Sequence, residues 1–358
     1  MPVLKEEFTF PSVVGDADIH AISWKPEGPA KAVLQLVHGM AEYIDRYDGM
    51  ARWFAEHGIA VYGNDHLGHG LSVNDTYPLG YFGTKNENAA VFIDDVHTLT
   101  GIAKEQNPGL PVVLFGHSMG SFVARLYLAK YGAELNAAVI CGTAGTNPAI
   151  GAAKLATAMF TKLSPKADGK IMNSLAFGSY NKKTDKRTGF DWLSVNEKNV
   201  DVYIDDPLCG FLFSNQGFRD LITMNDYMMK QEVIDAVPAD LPICFIAGDE
   251  RDVHHGTVFL LNGSDVVILI VEIIVQDCCL LDVVCLHGIQ TAHVENPFVN
   301  ELCHVDCIAG RRVVHGIVVS HGLPVEHDGG FGTSLAQQVF TDDNDSQTGG
   351  CHVLLCAC

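Results

Sequence analysis

Five short apolar, β-rich runs alternate with amphipathic helical stretches through the first 250 residues, and few folds accept that rhythm. The runs are KAVLQLVHG (31–39), GIAVYGND (58–65), PVVLFG (111–116), LNAAVICGT (135–143) and LPICFIAGD (241–249). Each is nearly continuous in apolar residues, so each predicts a strand buried on both faces. Between them, Asp45 to His57 places Tyr47, Met50, Trp53 and Phe54 on one helical face. Asn88 to Gln106 turns Val91, Phe92, Val96 and Leu99 inward, and Met119 to Tyr131 reads as a third helix. This alternation specifies an α/β fold, a mostly parallel sheet covered by helices on both faces. Such sheets bind ligands beyond the carboxyl ends of their strands. Ahead of the first run, residues 6–25 hold two apolar stretches around Val14-Gly15-Asp16, the pattern of an antiparallel hairpin.

The alternation stops between Thr146 and Asp240. That stretch carries a helix-like run (AIGAAKLATAMFTKL) and a polar loop (SYNKKTDKRTG). An insertion of this length after a core strand predicts a helical cap over the strand ends, with Leu155, Met159 and Phe160 suited to an apolar ligand. A purely structural helical layer is the competing reading. The expected organisation is then 1–146 as the first part of the core, 147–240 as the cap, 241–250 as a further core strand, and 251–358 as a tail.

Gly116-His117-Ser118-Met119-Gly120 falls between the run PVVLF and the helix that starts at Met119. Gly-x-Ser-x-Gly at such a junction forces the serine onto a strained strand-to-helix turn, which exposes its hydroxyl above the sheet. Ser118 is therefore the candidate nucleophile. A nucleophile of this kind needs donors for the oxyanion that forms, and backbone N–H groups can supply them without reorganising. The amide of Met119 follows the serine, and the amide of Met40 follows His38-Gly39 at the end of the first run; these are the expected pair. His38 reads as a residue that shapes this loop. Asn64 to Ser72 (NDHLGHGLS) holds two histidines three apart, but no further ligands stand nearby, so a hydrogen-bonded structural loop is expected there.

HGMAEYIDRY, NDHLGHGLS, GHSMG and DPLCGF occur in that order, together with RTGFDWLSVNEKNVDVYIDDPLCGF. In these motifs the chain resembles the monoacylglycerol lipase and lysophospholipase family of α/β-hydrolases, from about residue 6 to 250. The resemblance implies a Ser–Asp/Glu–His triad, an oxyanion hole from Met40 and Met119, and a cap over an acyl pocket. It further implies hydrolysis of carboxylic esters, of a monoglyceride or lysophospholipid, without cofactor or metal.

The acid of that triad follows a pattern like Gly-Asp-Glu-Asp-Pro-Val. Here the residues are Gly248-Asp249-Glu250-Arg251-Asp252-Val253, so Arg251 takes the acid's place and Asp252, one residue late, is the candidate. Asp249 or Glu250 could offer a carboxylate by a loop shift. His293, in GIQTAHVEN, is the candidate base, and His287, directly after LLDVVCL, is the alternative with the better spacing.

Residue usage changes at the same point. All 10 Tyr, 9 Met, 3 Trp and 15 Lys lie at or before position 230, whereas 8 of the 11 Cys and 9 of the 16 His lie after 250. About sixteen residues of the first four types would be expected there at the earlier frequency. Residues 251–358 accordingly read as a shifted or foreign reading frame joined near Glu250, or as a loosely folded end prone to associate through VVILIVEIIV. A metal or redox module built on Cys303, His304 and Cys307 with Cys351, His352, Cys356 and Cys358 is the rival, although its spacings match no standard zinc pattern. If the tail replaces acid and base, the chain is a hydrolase-derived protein with impaired catalysis.

The formal net charge of −20 disfavours nucleic acid or an anionic membrane as partner. The first ten residues lack the apolar core of a signal peptide, and the run at 266–275 is too short to span a bilayer. A cytoplasmic protein acting on a small ester or monoacyl lipid is expected, with membrane contact at most peripheral and through the cap. The sequence leaves its oligomeric state open.

Overall fold

A computed structural model describes residues 2–84, 86, 89–184, 186–194 and 196–248, together with the backbone of strands at 256–261, 281–286, 302–309, 312–319, 337–339 and 352–353. The chain divides into two compact units, Met1–Leu241 and Pro242–Cys358.

In the first unit, β1 (Val3–Pro11) and β2 (Asp18–Pro26) form the antiparallel hairpin, turning at Gly15 with φ 87°. Strands β3 (Ala32–Val37), β4 (Ile59–Asn64), β5 (Val112–His117) and β6 (Ala137–Cys141) follow. Their order is β1-β2-β4-β3-β5-β6, with β3, β4, β5 and β6 parallel. Strands β3 and β4 are buried along their whole length, as their unbroken apolar sequences require.

Helix α2 (Ala90–Gln106) buries Val91, Phe92, Val96 and Leu99, the face read from the sequence. The stretch from Asp45 differs from the single helix expected there. A 3-10 turn occupies Ile44–Tyr47, and α1 begins only at Asp48, running to Glu56. Asp48 accepts hydrogen bonds from the Trp24 indole (2.8 Å) and from Arg52 Nε (2.6 Å), which fixes that start. The buried residues of α1 are Ala51, Phe54 and Ala55, and Tyr47, ahead of the helix, makes a polar contact described below.

Helix α3 (Met119–Tyr131) follows β5 directly. After β6 come α4 (Ile150–Leu163), α5 (Lys170–Phe177), α6 (Glu197–Asp205), α7 (Asn215–Met228) and α8 (Gln231–Ala236). The buried residues of α4 are small and polar. Thr157 and Thr161 are buried, and the Thr161 hydroxyl donates to the Asn215 carbonyl. Leu155, Met159 and Leu163 of α4 are exposed, at 75%, 55% and 74%, while Ile150 and Phe160 are half-buried.

In the second unit, β7 (Ile243–Gly248) pairs antiparallel with β8 (Gly256–Leu261), and β8 runs parallel to β9 (Leu281–Leu286). Strand β13 (His352–Val353) pairs antiparallel with β9. Strands β10 (Leu302–Ala309), β11 (Arg312–Val319) and β12 (Gln337–Val339) make a separate antiparallel sheet.

Candidate active site

The carboxyl ends of β3, β4 and β5 bring together three loops, at 38–47, 64–72 and 116–120. Ser118 stands at the junction of β5 and α3 with φ 52° and ψ −120°, a region that L-residues adopt only under constraint. Its amide donates to the Cys141 carbonyl at 2.9 Å, and its own carbonyl accepts from the Ser121 amide and hydroxyl. The glycines of the motif have specific neighbours. A Cβ on Gly116 would stand 2.5 Å from the Gly120 carbonyl oxygen, and one on Gly120 would stand 2.1 Å from that of Val37. Neither fits. The second glycine thus lets the serine turn nest against the end of β3.

The loop after β3 reaches the serine from the other side, since a Cβ on Gly39 would lie 3.2 Å from the Ser118 Cβ. Ala41, two residues on, also has positive φ, at 53°. Its carbonyl accepts from the Gly210 amide (2.9 Å) and the Tyr203 hydroxyl (3.0 Å). The DPLCGF segment thereby clamps this loop, with Gly210 at φ 65°. The Met119 amide is the first N–H of α3, where the helix dipole favours negative charge. Within the described residues, neither it nor the Met40 amide donates a hydrogen bond.

Glu42, which the sequence reading did not single out, is buried at the centre of a polar cluster. Its Oε1 accepts from the Gly39 amide (2.5 Å) and the Tyr47 hydroxyl (2.8 Å), and its Oε2 from Arg46. His117 Nδ1 lies 3.0 Å from the Tyr47 oxygen. Because the Tyr47 proton goes to Glu42, the imidazole Nδ1–H is the donor in that pair, and it is shared with Glu42 Oε1 at 3.4 Å. Burial opposes ionisation of Glu42. The hydrogen bond from His117 and the neighbouring charges outweigh it, and the carboxyl is held well below its usual range. Glu42, Arg46, Tyr47, Phe115 and His117 line an open cavity of about 220 Å³. The available signal was a Glu four residues before an Arg, immediately after a strand end.

The loop 64–72 is held by Asp65, whose carboxylate is fully buried. It accepts from the amides of Ile44 (2.7 Å) and Leu71 (2.8 Å), and His20 Nδ1 lies 2.9 Å away. His66 and His69 are buried among Phe82, Phe92 and Phe213. Burial pushes both imidazoles well below their ordinary pKa, so both are neutral. Among the described residues no group of three or more His, Cys, Asp or Glu has a metal-holding arrangement.

Ser118, Met40 and Met119 are therefore neighbours. Asp252, His293 and His287 lie outside the described residues, as do Asp249, Glu250 and the apolar run at 266–275. Of the tail's cysteines and histidines, only the backbone of those within the strands is described.

Residues 28–255 match the family model described as serine aminopeptidase, S33. The chain belongs to this family. It is an α/β-hydrolase, similar to monoacylglycerol lipases. The monoacylglycerol lipase of Mycolicibacterium smegmatis is 35% identical over 140 residues, 39% of this chain and 47% of the relative. The human monoglyceride lipase is 30% identical over 185 residues, 52% of this chain and 54% of the relative. The hydrolase thus spans about half the length of the curated relatives it matches. Among solved structures, a thermostable carboxyl esterase from Bacillus coagulans, in complex with glycerol, superposes with a TM-score of 0.64 at 27% identity. The match covers 79% of this chain and 90% of that one. A soluble variant of the Saccharomyces cerevisiae monoglyceride lipase shares the fold, with a TM-score of 0.54 at 16% identity over 69% and 77% of the two chains.

Proposed function

We propose that this hydrolase is a serine esterase of monoacyl lipids, a monoglyceride or a lysophospholipid. The observation that carries the reading is Ser118 itself, held at φ 52° on the turn between β5 and α3 and in contact range of Gly39. The Ser118 hydroxyl attacks the ester carbonyl as its proton passes to the base, and the Met40 and Met119 amides receive the oxyanion. Collapse of the oxyanion breaks the ester bond and expels the alcohol, which takes that proton. Water then cleaves the acyl–serine ester, releasing the fatty acid and restoring the hydroxyl. Asp252 is the proposed acid and His293 the proposed base, with His287 as the alternative. Glu42, Arg46, Tyr47 and His117 offer a polar cavity for the alcohol portion of the substrate. The likeness to monoacylglycerol lipases supports a lipid ester over a peptide.

The stretch 147–240, which carries helices α4 to α8, forms the proposed cap. Leu155, Leu163, Leu175 and Val202 on these helices are between 67% and 75% exposed, which suits peripheral contact with a lipid surface. Among the described residues no helix is long and apolar enough to cross a membrane. We place the protein in the cytoplasm.

A fluorophosphonate probe tests the reading. Covalent labelling of the folded chain that disappears in Ser118→Ala is the expected result. Folded protein that takes no label supports the hydrolase-derived, catalytically impaired form instead.

A further inference from the structure

We infer that His38 is the positioning residue that aims the Met40 amide at the oxyanion, by holding the opposite end of the same peptide unit. The inference rests on the reading of Ser118 as nucleophile. The Gly39 carbonyl and the Met40 N–H belong to one planar trans peptide, so they point in opposite directions. Whatever fixes the carbonyl fixes the direction of the amide.

His38 Nδ1 lies 2.8 Å from the Gly39 oxygen. A carbonyl only accepts, so Nδ1 carries the proton. The other ring nitrogen, Nε2, accepts the His66 amide at 2.9 Å, which a protonated nitrogen could not do. The two contacts select a single neutral tautomer, with the proton on Nδ1. Full burial lowers the imidazole's affinity for a second proton and protects that state. His66 completes a reciprocal clasp, its Nε2 lying 3.3 Å from the His38 carbonyl, with the two rings 4.3 Å apart.

The neighbouring peptides are held as firmly. The Gly39 amide donates to Glu42, and the Ala41 carbonyl is held by Gly210 and Tyr203. The Gly39–Met40 peptide therefore has its carbonyl turned toward the buried imidazole and its N–H turned away from it. Gly39, the start of that peptide unit, abuts Ser118. Loss of the imidazole donor frees this peptide to rotate, and the oxyanion then loses one of two preorganised amides.

Two substitutions separate this role from packing. In His38→Asn the side-chain amide nitrogen takes the place of Nδ1 and can still donate to Gly39. In His38→Gln the side-chain oxygen takes the place of Nε2 and can still accept from His66, while the donor to Gly39 is lost. The bimolecular rate of fluorophosphonate labelling at Ser118 should fall about tenfold or more in His38→Gln and within about threefold in His38→Asn. Equal slowing in both, or none in His38→Gln, overturns the inference, provided thermal unfolding shows both variants folded. A second measurement needs no reactivity. Two-bond proton–nitrogen spectra of the full chain labelled with ¹⁵N-histidine should show the His38 ring, assigned by its loss in His38→Asn, as the Nδ1–H tautomer at neutral pH. An Nε2–H tautomer or an imidazolium overturns the assignment. If the wild-type chain takes no label at all, the esterase reading fails, and the spectrum alone decides the tautomer on which this inference stands.

Discussion

The sheet beneath Ser118 and the helices after β6 use the same residue type in opposite ways. Leu34 and Leu114, on β3 and β5, are fully buried, whereas Leu155, Leu163 and Leu175, on α4 and α5, are about three-quarters exposed. The difference follows from what each region must hold. Ser118 and Ala41 keep strained backbone, which persists only where surrounding contacts over-determine it. Strands buried on both faces supply those contacts. On α4 the buried residues are Thr157 and Thr161, and Leu155, Met159 and Leu163 are left for something other than the protein interior.

The sharpest way to break the first half of this contrast is Gly120→Ala. The added Cβ would stand 2.1 Å from the Val37 oxygen and 2.5 Å from the His38 oxygen, both backbone atoms that cannot rotate aside. A loss of about 4 kcal/mol or more in urea unfolding is expected, in the range reserved for severe core defects. Stability near that of the wild type would show that the turn does not nest against β3. Phe92→Ala comes next. Phe92 is fully buried, with its ring 4.7 Å from that of His66 and 5.0 Å from that of Phe82. Removing it should cost about 3–4 kcal/mol and loosen the loop 64–72. Hydrogen exchange at the Leu71 amide, held by Asp65, would report that loosening.

Asp95 sharpens the contrast from within the buried region. It lies on α2 and accepts from the Ser12 hydroxyl and the Val13 amide, both at 2.8 Å, pinning the turn of the β1–β2 hairpin. Burial outweighs those hydrogen bonds and pushes the carboxyl up to about 6, above the ordinary 3.8. The folded state therefore binds the proton more tightly than the unfolded one. This contribution to stability is fully present below about pH 4 and is lost as pH rises through about 6, roughly 3 kcal/mol in all. In Asp95→Asn the amide can accept from Val13 and donate to Ser12. The variant should match the wild type near pH 4 and exceed it at pH 7.5. Identical urea profiles at both pH values would place the Asp95 pKa near its ordinary range.

The sequence made the first region readable and the second only partly so. Strands β3 to β6 and the inward face of α2 follow from local apolar patterning, and the serine turn from two glycines with a purely local requirement. The polar cluster was not legible. Glu42, Arg46 and Tyr47 look like a solvated helix start until the fold brings His117, 70 residues away, against the Tyr47 hydroxyl. The start of α1 was missed for a related reason. Its start is set by Trp24, on a strand 24 residues earlier, and not by its own periodicity. On α4, patterning shows an apolar face at Leu155 and Met159 without showing whether that face turns inward. At Gly248-Asp249-Glu250-Arg251-Asp252 the motif itself breaks, and local pattern there offers several carboxylates and no basis for choosing among them.

The smallest effect on stability belongs to the helices, and there the interest lies in what else changes. Leu155 and Leu163 stand on one face of α4, eight residues apart, with Met159 midway between them, and Leu175 is similarly exposed on α5. Replacing Leu155, Leu163 and Leu175 together by Ser removes no buried contact of the kind that anchors β3. Each change should alter unfolding stability by no more than about 0.5 kcal/mol. If this face meets a lipid surface, each leucine that enters the bilayer gains about 1.5–3 kcal/mol of transfer free energy, so the triple variant should bind phosphatidylcholine vesicles at least tenfold more weakly. Unchanged sedimentation with vesicles would remove the lipid-facing role from these helices. A loss of several kcal/mol in stability would show instead that the leucines are covered in the folded protein, and the contrast between sheet and helices would lose its second half.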